Sequence, residues 1–236
     1  MALELESSLN PDMNPDLKSG ILKAICPLCE DNKISHYYSD RSRDYLRCSN
    51  CGLIFVPESF HLEPGAEKSR YDLHQNSPED EGYRRFLFRL AGPLLKRLKP
   101  GQSGLDFGCG PGPVLSIMLE EAGYPMSLYD PFYNNNLSVL ENSYDFVTAT
   151  EVAEHFSLPG IEFKRLFGML KEGGTLGIMT KLVLDLEAFT HWHYIQDDTH
   201  IAFYSRRSFE YLAGLYDAYL EFIGKDVIFM RKRVRG

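Results

Sequence analysis

From residue 101 onward the chain alternates short apolar runs with longer stretches of helical periodicity. Leu105 and Phe107 flank Asp106 in a run that predicts a strand over 103–108. Val114, Leu115, Ile117, Met118 and Leu119 then recur at helical spacing, predicting a helix over 112–122 that stops at Gly123. Further strands are predicted over 126–130, 144–150 and 175–180, and further helices over 159–171 and 208–216. Residues 219–223 and 226–230 form a terminal hairpin turned at Gly224-Lys225. Alternating strands and helices argue for a parallel sheet covered by helices, and the hairpin adds an antiparallel edge.

The first hundred residues read differently. Residues 1–22 carry Asn10-Pro11, Asn14-Pro15 and several acids, which suits a mobile arm. Over 23–57 the pattern is two C-x-x-C units, Cys26/Cys29 and Cys48/Cys51, eighteen residues apart. Each unit turns two thiolates toward one point. Four thiolates make a closed tetrahedral zinc site of the structural kind, with no position left for a catalytic water. The polar stretches 35–38 and 44–47 fit a hairpin between the knuckles. A segment this short lacks a core of its own, so metal binding supplies much of its folding energy. Residues 58–100 are a linker with Pro57, Pro64, Gly65 and Pro78, followed by a helix over 79–99. Its expected features are a Ser77 cap, Pro78 at the first position, and a kink at Gly92-Pro93. Within the linker, Tyr71, His74 and Asn76 either line a cleft or pack as a loop.

Composition narrows the class. The chain has 236 residues, 44% of them hydrophobic, and a formal net charge of -8. That balance disfavours a broad nucleic-acid surface. The basic group Arg231, Lys232, Arg233 and Arg235 reads as the solvated end of a final strand. No apolar run spans a bilayer and the first residues lack a secretory pattern, so the expected location is cytoplasmic, with no membrane partner.

The chemistry centres on Gly108-Cys109-Gly110-Pro111-Gly112, directly after the strand that carries Asp106. A glycine turn at a strand's carboxyl end lets backbone approach a ligand closely. The spacing is Gly-x-Gly-x-Gly, and an acid precedes it. Asp106 would repel a pyrophosphate and attract an ammonium, which disfavours a nicotinamide dinucleotide. Asp130 ends the next strand, where a carboxylate can accept hydrogen bonds from a ribose diol. An adenosyl amino acid suits this set.

At these residues the chain resembles the class I S-adenosylmethionine-dependent methyltransferases. Leu105–Gly112 is similar to their first motif. The stretch Tyr144–Phe156, with its Glu154-His155 pair, is similar to their fourth-strand motif, and Gly173-Gly174-Thr175-Leu176 to the turn into their fifth strand. The resemblance covers residues 101–236. It implies an α/β, Rossmann-like mixed sheet of seven strands, or six, preceded by the small four-cysteine zinc ribbon. It implies that Gly108, Cys109 and Gly110 wrap the methionyl part, that Asp130 holds the ribose, and that Thr150, Glu151 and Val152 lie beside the cofactor. Only about 13 residues separate Asp130 from the fourth strand, so the third strand is shortened or lost. Pro131 and Phe132, with Tyr133, then fall where adenine would stack. The cofactors implied are S-adenosylmethionine and structural zinc.

The acceptor is not readable from the sequence. His155 and His200 are the candidate catalytic groups, beside His191, His193, Asp197 and Asp198; each histidine has the alternative role of bracing a loop or helix start. Trp192 and Tyr194 either stack on an acceptor or cover the core. A small molecule or sugar acceptor is expected, given the acidic balance. The alternatives are a ribosomal or transfer RNA methyltransferase whose ribbon contacts RNA, and a non-catalytic zinc-ribbon interaction protein.

Overall fold

The computed structural model describes residues 24–73 and 76–234, so the expected N-terminal arm, His74 and Arg235 lie outside the described residues. The chain builds two sheets. The larger has six strands: β4 (Gly104–Phe107), β5 (Met126–Tyr129), β6 (Tyr144–Thr150), β7 (Leu170–Met179), β9 (Ala218–Ile223) and β10 (Val227–Lys232). Their spatial order is β5-β4-β6-β7-β10-β9. The first four run parallel, and β10 enters antiparallel between β7 and β9. Among the described residues the count is thus six strands, not seven. Where a third strand was in question, residues 130–143 make a tight Asp130–Asn134 bridge and a 3-10 turn over Leu137–Glu141.

Helix α2 (Glu81–Leu95) and α3 (Val114–Glu121) cover one face through Leu87, Leu90, Leu94, Leu115 and Leu119. Helices α4 (Pro159–Gly168) and α6 (Arg206–Leu215) pack in the cluster that contains Leu105, Val147, Leu176 and Ile228. Burying these faces removes apolar surface at roughly 25 cal/mol per Å². The cap of α2 is Asp80, which accepts from the Gly82 and Tyr83 amides at 2.7 and 3.0 Å; Ser77 is too far upstream. The helix continues through Gly92-Pro93 to Leu95. The larger difference lies at β7. It begins at Leu170, against Tyr144, rather than after Gly173-Gly174. The glycines that read as a helix stop sit inside an irregular pairing between Tyr144 and Phe146, with Gly173 at φ 75°.

The smaller sheet has the order β1 (Ile34–Ser39), β2 (Asp44–Cys48), β3 (Ile54–Phe55), β8 (Ala202–Phe203). The first two are the expected hairpin. The last pairing was not expected: β3 joins β8 through Ile54–Phe203 and Phe55–Ala202, tying the ribbon to a segment some 150 residues later. The short α5 (Leu186–Thr190) sets Phe189 edge-on to Tyr37 and Tyr45 of this sheet. The cysteines Cys26, Cys48 and Cys51 share one buried cluster with Phe163, Tyr204 and Phe209. The first knuckle abuts α4, whose Gly160 amide donates to the Pro27 carbonyl at 3.0 Å. The ribbon therefore borrows a core from the sheet's helices.

Candidate functional site

A cleft of about 670 Å³ opens at the carboxyl ends of β4, β5 and β6. Ligands of open α/β sheets bind at such a crevice. Its floor is the glycine loop. The Gly108 and Cys109 amides donate to the Tyr129 carbonyl at 2.8 and 3.2 Å, fixing the turn against β5. Gly108 and Gly110 have φ of 76° and 63°. A Cβ on Gly110 would point into open space, so the cradle there is shaped by the backbone alone.

Asp106 is buried beneath the loop. Its carboxylate accepts from Thr148 Oγ1 at 2.7 Å and Ser116 Oγ at 3.0 Å. Burial pushes it up to about 6, with the Asp130 charge acting in the same direction and the two hydroxyls opposing. Asp130 accepts from the Gly110 amide at 2.9 Å and from the Phe132 and Tyr133 amides at 2.8 and 3.0 Å. It ties the glycine loop to the following turn, leaving about one of its four lone-pair sites for a ligand. Burial, then the Asp106 and Asp130 charges, push the Cys109 thiol up to about 12, so it stays protonated. The structure thus brings together Asp106, Gly108, Cys109, Gly110, Asp130, Pro131, Phe132, Thr150, Glu151 and Val152 on one cleft wall and floor.

Helix α1 (Pro64–Tyr71) closes the cleft from the linker side. Tyr71 sits between Phe132 and His155, with ring centroids 5.8 and 5.2 Å away. Its hydroxyl donates to Glu67 at 2.6 Å. The helix is held by exposed contacts: Arg70 to Asp198 at 2.6 Å and the Tyr133 hydroxyl to Asp72 at 2.7 Å. Exposed pairs of this kind contribute little each. None of its residues is buried.

The far end of the cleft is built from Thr150–His155 and Tyr194–His200. Glu151 adopts φ 52°, rare for a residue with a side chain. Glu154 is fully buried, and one of its oxygens accepts from the Tyr194 hydroxyl. His155 and His200 each hold Nδ1 against a backbone carbonyl, Thr199 at 3.1 Å and Tyr194 at 2.7 Å. Their rings lie 4.8 Å apart, with Nε2 as the remaining nitrogen of each. Burial, then His155, holds His200 below the ordinary imidazole value. Of the other candidates only Asp197 lines the cleft. His191 and His193 are exposed, His193 beside Lys181 at 2.8 Å, and Asp198 pairs with Arg70. Tyr194 both lines the cleft and packs in the core against Trp192.

Sequence reasoning missed Arg43, which does not touch the cleft. Its buried guanidinium donates to the carbonyls of Ile195, Asp197, Asp198 and His200 at 2.6, 3.0, 3.1 and 2.9 Å. The ribbon hairpin thereby clamps the loop that presents His200. Tyr83 and Lys181, also cleft-lining, gave no sequence signal.

The ribbon's own cluster fits zinc. The four sulfurs lie within 4.8 Å of one another, with Cys26–Cys51 and Cys29–Cys48 at 3.5 Å, and all are free thiols. Tetrahedral Zn–S bonds of about 2.3 Å place sulfurs roughly 3.8 Å apart. Burial raises Cys48, and the Cys26 contact and then burial raise Cys51, while the Cys51 contact lowers Cys26. Joint ionisation requires a cation.

Residues 80–219, more than half of the chain, match a family described as a methyltransferase domain. No curated protein matches the chain in sequence. Among solved structures, the magnesium protoporphyrin IX methyltransferase from Synechocystis PCC 6803, crystallised with bound SAH, aligns with a TM-score of 0.51 at 15% identity, covering 74% of this chain and 97% of that one. An O-methyltransferase family protein from Burkholderia thailandensis aligns with a TM-score of 0.45 at 15% identity, covering 75% and 64%. A protein from Pyrococcus horikoshii OT3 aligns with a TM-score of 0.47 at 17% identity, covering 71% and 99%. At 15% identity the likeness to the Synechocystis enzyme is one of fold. The chain belongs to the methyltransferase-domain family, and its six-stranded mixed sheet is a Rossmann-like methyltransferase fold.

Proposed function

We propose that the protein binds S-adenosylmethionine in this cleft and transfers its methyl group to a small molecule or sugar. The single observation that carries this reading is the floor of the cleft. A glycine loop with open space over Gly110 lies between two buried acids, Asp106 and Asp130. Gly108, Cys109 and Gly110 would wrap the methionyl part, with Asp106 below it supplying negative potential toward its ammonium. The free lone pair of Asp130 would accept from a ribose hydroxyl, and Phe132 and Tyr71 would offer rings to adenine. When bound, the cofactor supplies an electrophilic methyl on a sulfonium, a good leaving group, so positioning provides much of the catalysis. His155 and His200 stand at the acceptor end, each with Nδ1 turned to a backbone carbonyl and His200 Nε2 3.6 Å from Asp197.

Calorimetry with S-adenosylmethionine, its demethylated product and NAD in parallel tests this. Binding of the first two is expected; binding of NAD alone overturns it. Asp130→Ala should weaken the cofactor by about 1–3 kcal/mol, since it removes both a ligand acceptor and the anchor of the Gly110 amide.

For the ribbon we propose a structural zinc held by Cys26, Cys29, Cys48 and Cys51. The close approach of the four sulfurs supports it. Nucleic acid is a disfavoured partner: the basic residues Arg231 and Arg233 sit over the Tyr219 ring, and Arg233 pairs with Asp217.

A further inference from the structure

Among the described residues, three buried side-chain oxygens lack any hydrogen-bond partner: Thr150 Oγ1, Glu151 Oε1 and Glu154 Oε2. All lie in one five-residue stretch at the acceptor end of the cleft. Buried polar groups are normally satisfied, and an unpaired carboxylate oxygen is among the most unfavourable exceptions. Glu154 is the sharpest case. It has no exposed surface, one oxygen is engaged by Tyr194, and the other has nothing. One ligand atom from each of Glu154, His155 and His200 lies within 4.8 Å of the other two.

The surroundings are arranged as they are around metal ligands. A ligating imidazole usually donates its second N–H to a carbonyl or carboxylate, which fixes its tautomer and aim. Both histidines do this through Nδ1, to Thr199 and Tyr194. The Tyr194 hydroxyl likewise holds the second oxygen of Glu154. The main chain bearing His200 is held in turn by Arg43. Two imidazoles and one carboxylate on one side leave coordination positions open on the other, a donor set that takes divalent first-row metals.

We propose that Glu154, His155 and His200 form a divalent-cation site, with the Glu151 carboxylate beside it, and that its open positions receive a hydroxyl oxygen of the methyl acceptor. The site itself is independent of the methyl-transfer reading; the role of the acceptor hydroxyl rests on that reading. There the acceptor's O–H bond breaks, its proton leaving to water. An O–CH3 bond forms, and the electron pair of the broken C–S bond returns to sulfur, giving a neutral thioether. A cation makes such a hydroxyl more acidic, so methylation at oxygen becomes feasible near neutral pH.

The test uses the full chain as purified, with Mn2+ as probe, free Mn2+ being followed by electron paramagnetic resonance, and S-adenosylmethionine binding measured in parallel by calorimetry. A single stoichiometric Mn2+ per chain is expected. Glu154→Gln should weaken it more than about 100-fold, since outer-shell changes alone amount to 10–100-fold. His155→Asn, at a half-buried position that tolerates exchange better, should do the same. Cofactor affinity should stay within about twofold in both. If the cofactor fails to bind while Mn2+ binds and is lost in both variants, the methyl-transfer reading falls and the cation site stands. No Mn2+ uptake by the wild type in the presence of the cofactor, or equal uptake by wild type and Glu154→Gln, overturns the site.

Discussion

The two ends of the cleft are built on opposite principles. The cofactor end comes mostly from the neighbouring stretch Gly104–Tyr133, with Thr148 added from β6, and its polar groups satisfy one another: Asp130 holds three amides and Asp106 two hydroxyls. The acceptor end is assembled from segments up to 157 residues apart, with Arg43 of the ribbon bonded to the carbonyl of His200, and it holds the three unpartnered oxygens. A self-satisfied loop is preorganised and waits for nothing. An end with orphaned oxygens is complete only when something else arrives, and its order depends on distant elements. Perturbing the ribbon should therefore damage one end and spare the other.

The largest effect is expected from removing the zinc proposed for the ribbon. Structural zinc contributes about 10–16 kcal/mol of apparent binding energy in zinc-finger peptides. Chelation, or Cys48→Ser, should strip order from β1–β3 and, through the β3–β8 pairing, from residues 195–204. Turnover should be lost while cofactor affinity falls less than about tenfold. Hydrogen exchange over 195–204 and calorimetry read the two ends separately; protection retained at 195–204 in metal-free protein breaks the coupling. Next comes Arg43→Ala. It leaves four carbonyls without their charged donor, at about 1–3 kcal/mol for each one that stays buried and unsatisfied. Here kcat should fall with cofactor affinity unchanged; equal losses in both would show that the clamp supports the whole fold.

What the sequence disclosed follows the same division. The strands and the glycine loop were legible because each is a local pattern: an apolar run, an acid, then glycines. The C-x-x-C pairs were legible because their spacing is itself a local pattern, and the fold brings the four sulfurs within 4.8 Å of one another. The acceptor end was not. Ala202–Phe203 is a two-residue strand, too short to show any period. Arg43 lies in the turn Asp40-Arg41-Ser42-Arg43 and reads as a solvated charge, because its partners are carbonyls, which carry no sequence signature. Glu154 was legible only as half of the Glu154-His155 pair, and nothing in the sequence announced that no part of it is exposed. Gly173-Gly174 misled in the other direction: local glycine chemistry suggested a stop where pairing with β6 carries the strand through.

A smaller effect tests how self-contained the cofactor end is. Asp106 rises from 3.8 to about 6 on folding. A raised acid favours the protonated folded form, so its contribution is fully present below about pH 4 and is lost as pH rises through about 6. At 1.36 kcal/mol per unit the loss is on the order of 2–3 kcal/mol. Relative to Asp106→Asn, the wild-type apo protein should lose that much stability between pH 4 and 7 in denaturant titrations. A difference that does not move with pH would mean that the hydroxyls of Thr148 and Ser116 stabilise the charge fully.

The smallest effect on stability, and the finest probe of the loop, is a pair of glycine substitutions. Gly108 and Gly110 both sit in the left-handed region, so alanine at either costs about 1–2 kcal/mol of backbone strain. They differ in what a Cβ meets. At Gly108 it would lie 2.5 Å from a Val152 methyl, an overlap within the protein itself. At Gly110 it meets nothing in the chain, only the open cleft. Gly108→Ala should therefore lower Tm more than Gly110→Ala, with part of the damage transmitted to β6 through Val152. Gly110→Ala should leave Tm nearer the wild type and still weaken cofactor binding by tenfold or more, because the added methyl occupies space the ligand needs. Should Gly110→Ala bind the cofactor as well as the wild type, the backbone at Gly110 is not the cradle, and the cofactor's place moves toward Asp106 and α2.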